Sequence, residues 1–325
     1  MAQFSTGDRL RGDGIFSRHW SSPEPGAIIV SLNQSAFFPR RVWSIDDCGN
    51  VFFIINRSAM QLHFLGTGAA DWPDPGAYVR SGRRYASMLL DERVLVDCGP
   101  MAMGALEEFR VDLNRLTDII IGHPHGDHFD FRVICELTRR RRRQAGPLRL
   151  HLNAIAVARA QTPPELAGRL EVVSYSPGET FTGPGFTCQA LAASHNCDDG
   201  EKAAHLMMTN AAGDTLFYAL DGAWLPASTW GFLRRRPAPL TAIVWDLTCG
   251  DSDDWRVSEH CNLAMVKAMT RVLRAHSRAI GPETTLFCSH LARTLCPEQA
   301  FFAPLLASQG YTLAYDGMKC TVGHP

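Results

Sequence analysis

The chain has 325 residues, 32 Lys and Arg against 33 Asp and Glu, a formal net charge of −1, and 46% hydrophobic and 20% charged residues. That balance describes a globular protein of one large or two small domains, and it excludes a disordered chain, a collagen-like repeat and a coiled coil. Near-neutral charge gives no reason to expect bulk binding to nucleic acid or an acidic membrane, and no apolar run approaches the roughly 20 residues needed to span a bilayer.

Residues 1–59 run through polar, turn-rich pieces such as Ser21-Ser22-Pro23-Glu24-Pro25-Gly26, with short apolar stretches at 27–32 and 51–55 that suit strands. They sustain no helical period and hold no cluster of chemical groups. They read as an N-terminal extension, either poorly ordered or not native, with Met60 as the alternative start. From there the pattern is regular: a strand at 62–65, strands at 85–90 and 94–96 around the turn Asp91-Glu92-Arg93, a helix at 102–109, and a buried strand at 118–121. A helix at 131–143 and a strand at 148–152 follow. Later strands are expected at 171–175, 187–192, 215–220, 242–245, 285–288 and 312–315, with helices at 263–275 and 298–308. Two runs of strands with interspersed helices imply two sheets covered by helices on the outside. The ten cysteines are scattered, with no Cys-x-x-Cys pair. Without an export signal they read as free buried thiols, and the expected location is the cytoplasm.

The strongest chemical signal is His123-Pro124-His125-Gly126-Asp127-His128, directly after the buried strand. Four metal-capable side chains fall within six residues, and imidazole with carboxylate suits Zn²⁺, Mn²⁺ or Fe²⁺. On an irregular loop, His123 and His125 can face one metal while Asp127 and His128 turn to a second. Gly122 and Gly126 are expected to let the backbone turn there.

This loop resembles the signature of the metallo-β-lactamase superfamily, and further motifs follow in order: Asp97-Cys98-Gly99 after a strand, Ser194-His195-Asn196, Leu220-Asp221-Gly222 and Cys288-Ser289-His290. The resemblance covers nearly all of 60–325 and implies an α/β fold, an αββα four-layer sandwich with a dinuclear metal site. It gives His123, His125 and His195 to one divalent ion and Asp127, His128 and His290 to another, Zn²⁺ first. Asp221 bridges them, and Asp97 braces the loop without binding metal. Two such cations lower the pKa of a shared water until hydroxide, the nucleophile, exists at neutral pH. Asp127 is placed to orient it.

Three features resemble the branch holding tRNA 3′-processing endonucleases and the cyclic-phosphate phosphodiesterases associated with carbon–phosphorus lyase. They are Leu65-Gly66-Thr67-Gly68, the basic segment Arg83-Arg84-Tyr85, and Asp246-Leu247-Thr248 followed by Glu259-His260. By that match Asp246 orients His260, which donates a proton to the leaving oxygen. The chain lacks the cysteine cluster of the cyclic-phosphate enzyme between Asp71 and Ser87, and it shows no long tRNA-gripping arm. The implied activity is therefore hydrolysis of a small, cyclic or open phosphodiester, with nucleic acid not favoured, no membrane partner, and a homodimer allowed. The alternatives are hydrolysis of a lactone, thioester or other carbonyl compound at the same metals, or RNA processing. The runs Arg139-Arg140-Arg141-Arg142-Arg143 and Arg234-Arg235-Arg236 read as solvated helix ends. Trp72 and Trp224 read as core packing, and the segment Ala314-Tyr315-Asp316-Gly317-Met318 reads as a tight turn.

Overall fold

A computed structural model describes residues 41–45, 51–55, 59–73, 82–197 and 202–323. The chain divides into two units, Met1–Arg57 and Ser58–Pro325. In the first, β1 (Arg41–Ile45) pairs antiparallel with β2 (Val51–Ile55). The strand expected at 27–32 lies outside the described residues, and so do most of the residues to which the reading of 1–59 as poorly ordered or non-native applies.

The second unit holds two seven-stranded sheets. One contains β3 (Met60–Gly66), β4 (Ser87–Leu90), β5 (Val94–Val96), β6 (Asp118–Ile120), β7 (Leu148–Asn153) and β8 (Leu170–Tyr175), with the last strand, β16 (Lys319–Val322), pairing outside β3. The other contains β9 (Thr180–Gly183), β10 (Phe186–Asn196), β11 (Lys202–Asn210), β12 (Thr215–Ala219), β13 (Ala242–Asp246), β14 (Thr285–Ser289) and β15 (Thr312–Leu313), in reverse order across the sheet. Each sheet is antiparallel in one part and parallel in the other: β5 to β8 in the first and β12 to β15 in the second.

Alternation along the strands builds the layers. Leu62, Phe64, Val94 and Val96 meet Leu206, Leu216, Tyr218, Val244 and Phe287 between the sheets. The intervening Leu65 and Leu95 face α1 (Ala102–Glu108) and α2 (Phe131–Arg140), through Leu106, Ile134 and Leu137. On the other side Phe217, Ile243 and Trp245 pack against α3 (Ala227–Arg234), α4 (Leu263–His276) and α5 (Gln299–Ala307). Strands buried on both faces read as unbroken apolar runs, which is why 119–121 and 242–245 stand out in the sequence. The result is the four-layer αββα sandwich. Among the described residues no helix is long and apolar enough to cross a membrane.

The differences from expectation have physical causes. β11 was not anticipated, because Lys-Ala-Ala-His-Leu-Met-Met has no β-branched residue and its strand character comes from pairing with β10 and β12. β9 and β16 are short edge strands with weak signals. The second helix stops at Arg140, three residues early. The nine described cysteines are buried or half-buried, and Cys48 lies outside the described residues.

Candidate metal centre

The 123–128 loop is held by its own backbone and by the strand beside it. His128 and Phe129 N–H groups donate to His125 O at 3.0 and 2.9 Å, and Cys98 N–H donates to His128 O at 2.8 Å. The close approach falls at Gly99, where a Cβ would lie 1.9 Å from Asp127 O. Gly122 and Gly126, expected to supply the sharp turn, do not have positive φ. The left-handed positions are instead Asp97, Asp221 and His290, at φ 60°, 52° and 61°. Such backbone is costly for non-glycine residues and concentrates at functional sites.

All seven expected ligands converge. His125 Nδ1 lies 3.0 Å from His123 Nε2 and 3.1 Å from His195 Nε2. His195 Nδ1–H donates to Glu259 O at 3.2 Å, which leaves Nε2 as a lone pair facing the other two rings. His195 was expected after its strand; it lies on β10 itself, within an irregular stretch between Ala192 and Asn196.

Beside this trio, His128 Nε2 lies 3.2 Å from His290 Nε2 and 3.2 Å from Asp127 Oδ2. His128 Nδ1–H donates to Asp97 Oδ2 at 2.9 Å, so Asp97 braces the loop; it also accepts from Tyr218 Oη at 3.2 Å and Gly122 N at 3.3 Å. Asp221 stands between the two groups. Its Oδ1 is 4.0 Å from His123 Nε2, and its Oδ2 is 3.0 and 3.4 Å from His128 and His290 Nε2.

Behind His290, the buried carboxylate of Asp246 ends β13 and accepts from the N–H groups of Asp221, Thr248 and Cys261 at 3.1, 2.9 and 3.0 Å. His260 Nδ1–H donates to Asp246 Oδ2 at 3.0 Å. His260 does not open the next helix as expected. It follows a short turn at Trp255–Ser258 and precedes Asn262, which caps α4. The His260 side chain is 14% exposed, against 1% for His128 and His290.

The charges suit cations. Burial pushes the Asp221 carboxyl up, but His128, His290 and His123 outweigh it and hold it well below the usual carboxylate range. Burial likewise opposes Asp127, which His128 and His290 hold well below that range. Burial disfavours the His128 imidazolium, yet Asp127, Asp221 and Asp97 raise its pKa well above 6.5. Asp97, Asp127, Asp221 and Asp246 make no ion pair with Lys or Arg among the described residues; their partners are imidazoles. The buried Asp221 Oδ2 accepts no hydrogen bond, although two Nε2 atoms lie near it. Imidazole nitrogens and carboxylate oxygens crowded at these distances suit divalent metal ions, which would take the place of the proton held on His128, and four groups of these side chains have the spacing to hold one.

The basic segments are structural. Arg83 binds Thr67 Oγ1, Gln299 Oε1 and, at 3.0 Å, Ala314 O. Arg84 pairs with Glu108. Asp316 accepts from Thr67 Oγ1 and Arg84 N at 2.7 Å each, so the segment read as a bare turn ties the chain's end to the opening loop. Arg139 and Arg140 pair with Glu165, Glu136 and Glu107 at the surface. Arg141 departs from a solvated helix end: it is 3% exposed and donates to four carbonyls, those of Leu113, Leu116, Ala145 and Gly146. Trp224, expected in the core, is 44% exposed and lies against Trp230. Trp72 is half-buried, its indole N–H on Leu291 O at 2.7 Å. Sequence reasoning quoted Thr248 and Glu259 beside Asp246 and His260 but gave no role to the Thr248 hydroxyl or the Glu259 carbonyl, which orient ligand rings.

Among solved structures, the chain is similar to the metallo-beta-lactamase fold protein YhfI from Bacillus subtilis, with TM-score 0.63 and 16% identity over 82% of this chain and 100% of that one. It is also similar to a diphosphatase of the PhnP family (TM-score 0.61, 15% identity, 80% and 97% covered) and to the short form of human tRNase Z (TM-score 0.58, 18% identity, 81% and 100% covered). At these identities the likeness is one of fold. No curated protein sequence matches significantly. The family model described as a beta-lactamase superfamily domain matches residues 92–287, more than half of the chain and a span that runs from the bracing Asp97 past His260. The chain belongs to the beta-lactamase superfamily.

Proposed function

We propose that this protein is a dinuclear metal-dependent hydrolase of a small phosphodiester. His123, His125 and His195 hold one ion, Asp127, His128 and His290 hold the other, and Asp221 serves both. Zn²⁺ suits these donors best, and the same set accepts Mn²⁺ or Fe²⁺. Bound divalent cations supply Lewis acidity, lowering the pKa of a shared water and neutralising charge on phosphoryl oxygens. Asp127 orients the attacking water. The imidazole lone pairs stay aimed at the ions because Asp97, Glu259 O and Thr248 hold the opposite ring nitrogens.

The observation that favours a phosphodiester is the Asp246–His260 pair. Its Nδ1–H is committed to Asp246, so His260 offers Nε2–H to the leaving oxygen. Burial opposes the imidazolium, but Asp246, with Asp221 and Asp127 beyond it, raises the pKa to about 9, so the side chains alone favour the protonated acid. An alkoxide leaving group needs that proton. Similarity in fold to a diphosphatase of the PhnP family and to human tRNase Z is consistent with this chemistry.

One observation supports the carbonyl alternative: Arg83 and Arg84, the cations of the basic segment, are occupied by internal partners. An RNA substrate gains nothing from Arg139, Arg140 and Arg141, which are likewise engaged. A substrate panel tests the reading. Purified protein with Zn²⁺ or Mn²⁺ is assayed on bis(p-nitrophenyl) phosphate, cyclic nucleotides and a lactone, beside His125→Ala. Phosphodiester turnover lost in the variant is expected. Turnover of the lactone alone would reject the phosphodiester, and activity unchanged in His125→Ala would reject a metal mechanism.

A further inference from the structure

Thr248 is 2% exposed and follows β13 by two residues. Its hydroxyl sits among four polar atoms. His290 Nδ1 is at 2.7 Å, His290 O at 2.9 Å, Asp246 Oδ2 at 3.1 Å and His260 Nδ1 at 3.2 Å. A hydroxyl carries one proton and two acceptor lone pairs, so these contacts cannot all be equivalent, and counting protons sorts them.

If His290 is to present Nε2 to the cluster, its proton must stay on Nδ1. That N–H has two acceptors within reach: Thr248 Oγ1 at 2.7 Å and Asp246 Oδ2 at 3.5 Å. The hydroxyl is nearer and has hydrogen-bond geometry. Thr248 therefore accepts from His290, and its own proton goes to Asp246 Oδ2, a charge-assisted bond stronger than one to the neutral His290 O. His260 Nδ1–H takes Asp246 Oδ2 directly, at 3.0 Å.

We infer that Thr248 is the positioning residue through which one buried carboxylate, Asp246, sets the ring tautomer of two histidines: His260 by direct contact and His290 through the threonine hydroxyl. The carboxylate's oxygens already serve three backbone N–H groups and His260. The hydroxyl extends its reach to His290 without drawing it off His260. The inference rests on the two-ion reading, and it adds that proton donor and metal ligand are oriented by a single hub.

Thr248→Val keeps the branched shape and removes the hydroxyl; Thr248→Ser keeps the hydroxyl and removes the methyl. Each demetallated protein is titrated with Zn²⁺ against a chromogenic chelator. Thermal unfolding of each confirms that the variants fold. Ring nitrogen resonances of His290, from a long-range ¹H–¹⁵N spectrum of the Zn²⁺-loaded protein, report its tautomer. Thr248→Val is expected to weaken the second ion by about 10- to 100-fold and to lose the single Nδ1-protonated form of His290. Thr248→Ser is expected to restore both. Wild-type affinity and tautomer in Thr248→Val, or a serine variant as impaired as the valine one, overturns the assignment while the two-ion reading stands. A wild-type protein that takes up fewer than two ions overturns both.

Discussion

Asp97 offers a perturbation whose consequences can be worked atom by atom. Its Oδ2 receives His128 Nδ1–H and Tyr218 O–H, and its Oδ1 receives Gly122 N–H, all in the buried floor of the metal loop. Asp97→Ala strands three buried donors at about 1–3 kcal/mol each. A loss of about 3–9 kcal/mol threatens the whole margin of a typical domain, about 5–15 kcal/mol. Asp97→Asn is more informative because it is isosteric. With the amide oxygen at the Oδ2 position, its NH₂ faces Gly122 N–H, donor against donor. With the amide flipped, the NH₂ faces His128 Nδ1, and His128 is satisfied only by moving its proton to Nε2. That protonates the atom that lies 3.0 Å from Asp221 Oδ2 and 3.2 Å from Asp127 Oδ2. Either arrangement costs, the first in stability by about 1–3 kcal/mol and the second in metal affinity by about 10- to 100-fold. Thermal unfolding and Zn²⁺ competition with a chelator separate them. An Asp97→Asn protein with both wild-type stability and wild-type affinity would falsify the bracing role.

His260→Gln is expected to lower kcat by about 100- to 10,000-fold on an alkyl phosphodiester and far less on a p-nitrophenyl ester, whose leaving group needs no proton. Equal losses on both substrates would contradict the proton-donor role. Burial, reinforced by Lys319, lowers the pKa of His63 from 6.5 to about 4, and Glu92 opposes this only weakly. The unfolded chain therefore binds a proton between pH 6.5 and 4 that the folded chain refuses. His63 thus lends full stability above pH 6.5, and its contribution falls as the pH drops toward 4, by up to about 3 kcal/mol. Urea unfolding at pH 7 and pH 5 should show a smaller acid loss in His63→Leu than in wild type, and an equal loss would refute the assignment. Arg141→Met leaves the carbonyls of Leu113, Leu116, Ala145 and Gly146 without their donor. It should cost at least about 3 kcal/mol by the same urea measurement, whereas Arg139→Met, at the surface, should cost less than about 1 kcal/mol.

How much of this was readable from residue order follows from where each group gets its meaning. His123, His125, Asp127 and His128 are visible because four ligand-type side chains crowd one loop after an apolar run. His195, Asp221 and His290 are single residues; their places came from motif order, and the folded chain brings them together across some 170 residues, from His123 to His290. Asp246 and His260 were legible as a pair for the same reason. Thr248 was not, since a threonine after a strand means nothing until its hydroxyl is seen between two imidazoles. The Glu259 carbonyl is backbone and leaves no trace in the sequence. Arg141 looked like its four neighbours in the arginine run, and only the carbonyls around it set it apart. β11 shows the same limit for the fold, because its alanines and methionines become a strand through their partners.

The central claim, a paired-cation site built from His123, His125, His195, Asp127, His128, His290 and Asp221, is tested most directly by counting ions. Purified protein is saturated with Zn²⁺, dialysed, and its metal content measured beside His195→Ala and His290→Ala. Two ions per wild-type chain, falling to one in each variant, is the expected result. A wild-type chain that retains none, or variants that retain as many as wild type, contradicts the claim.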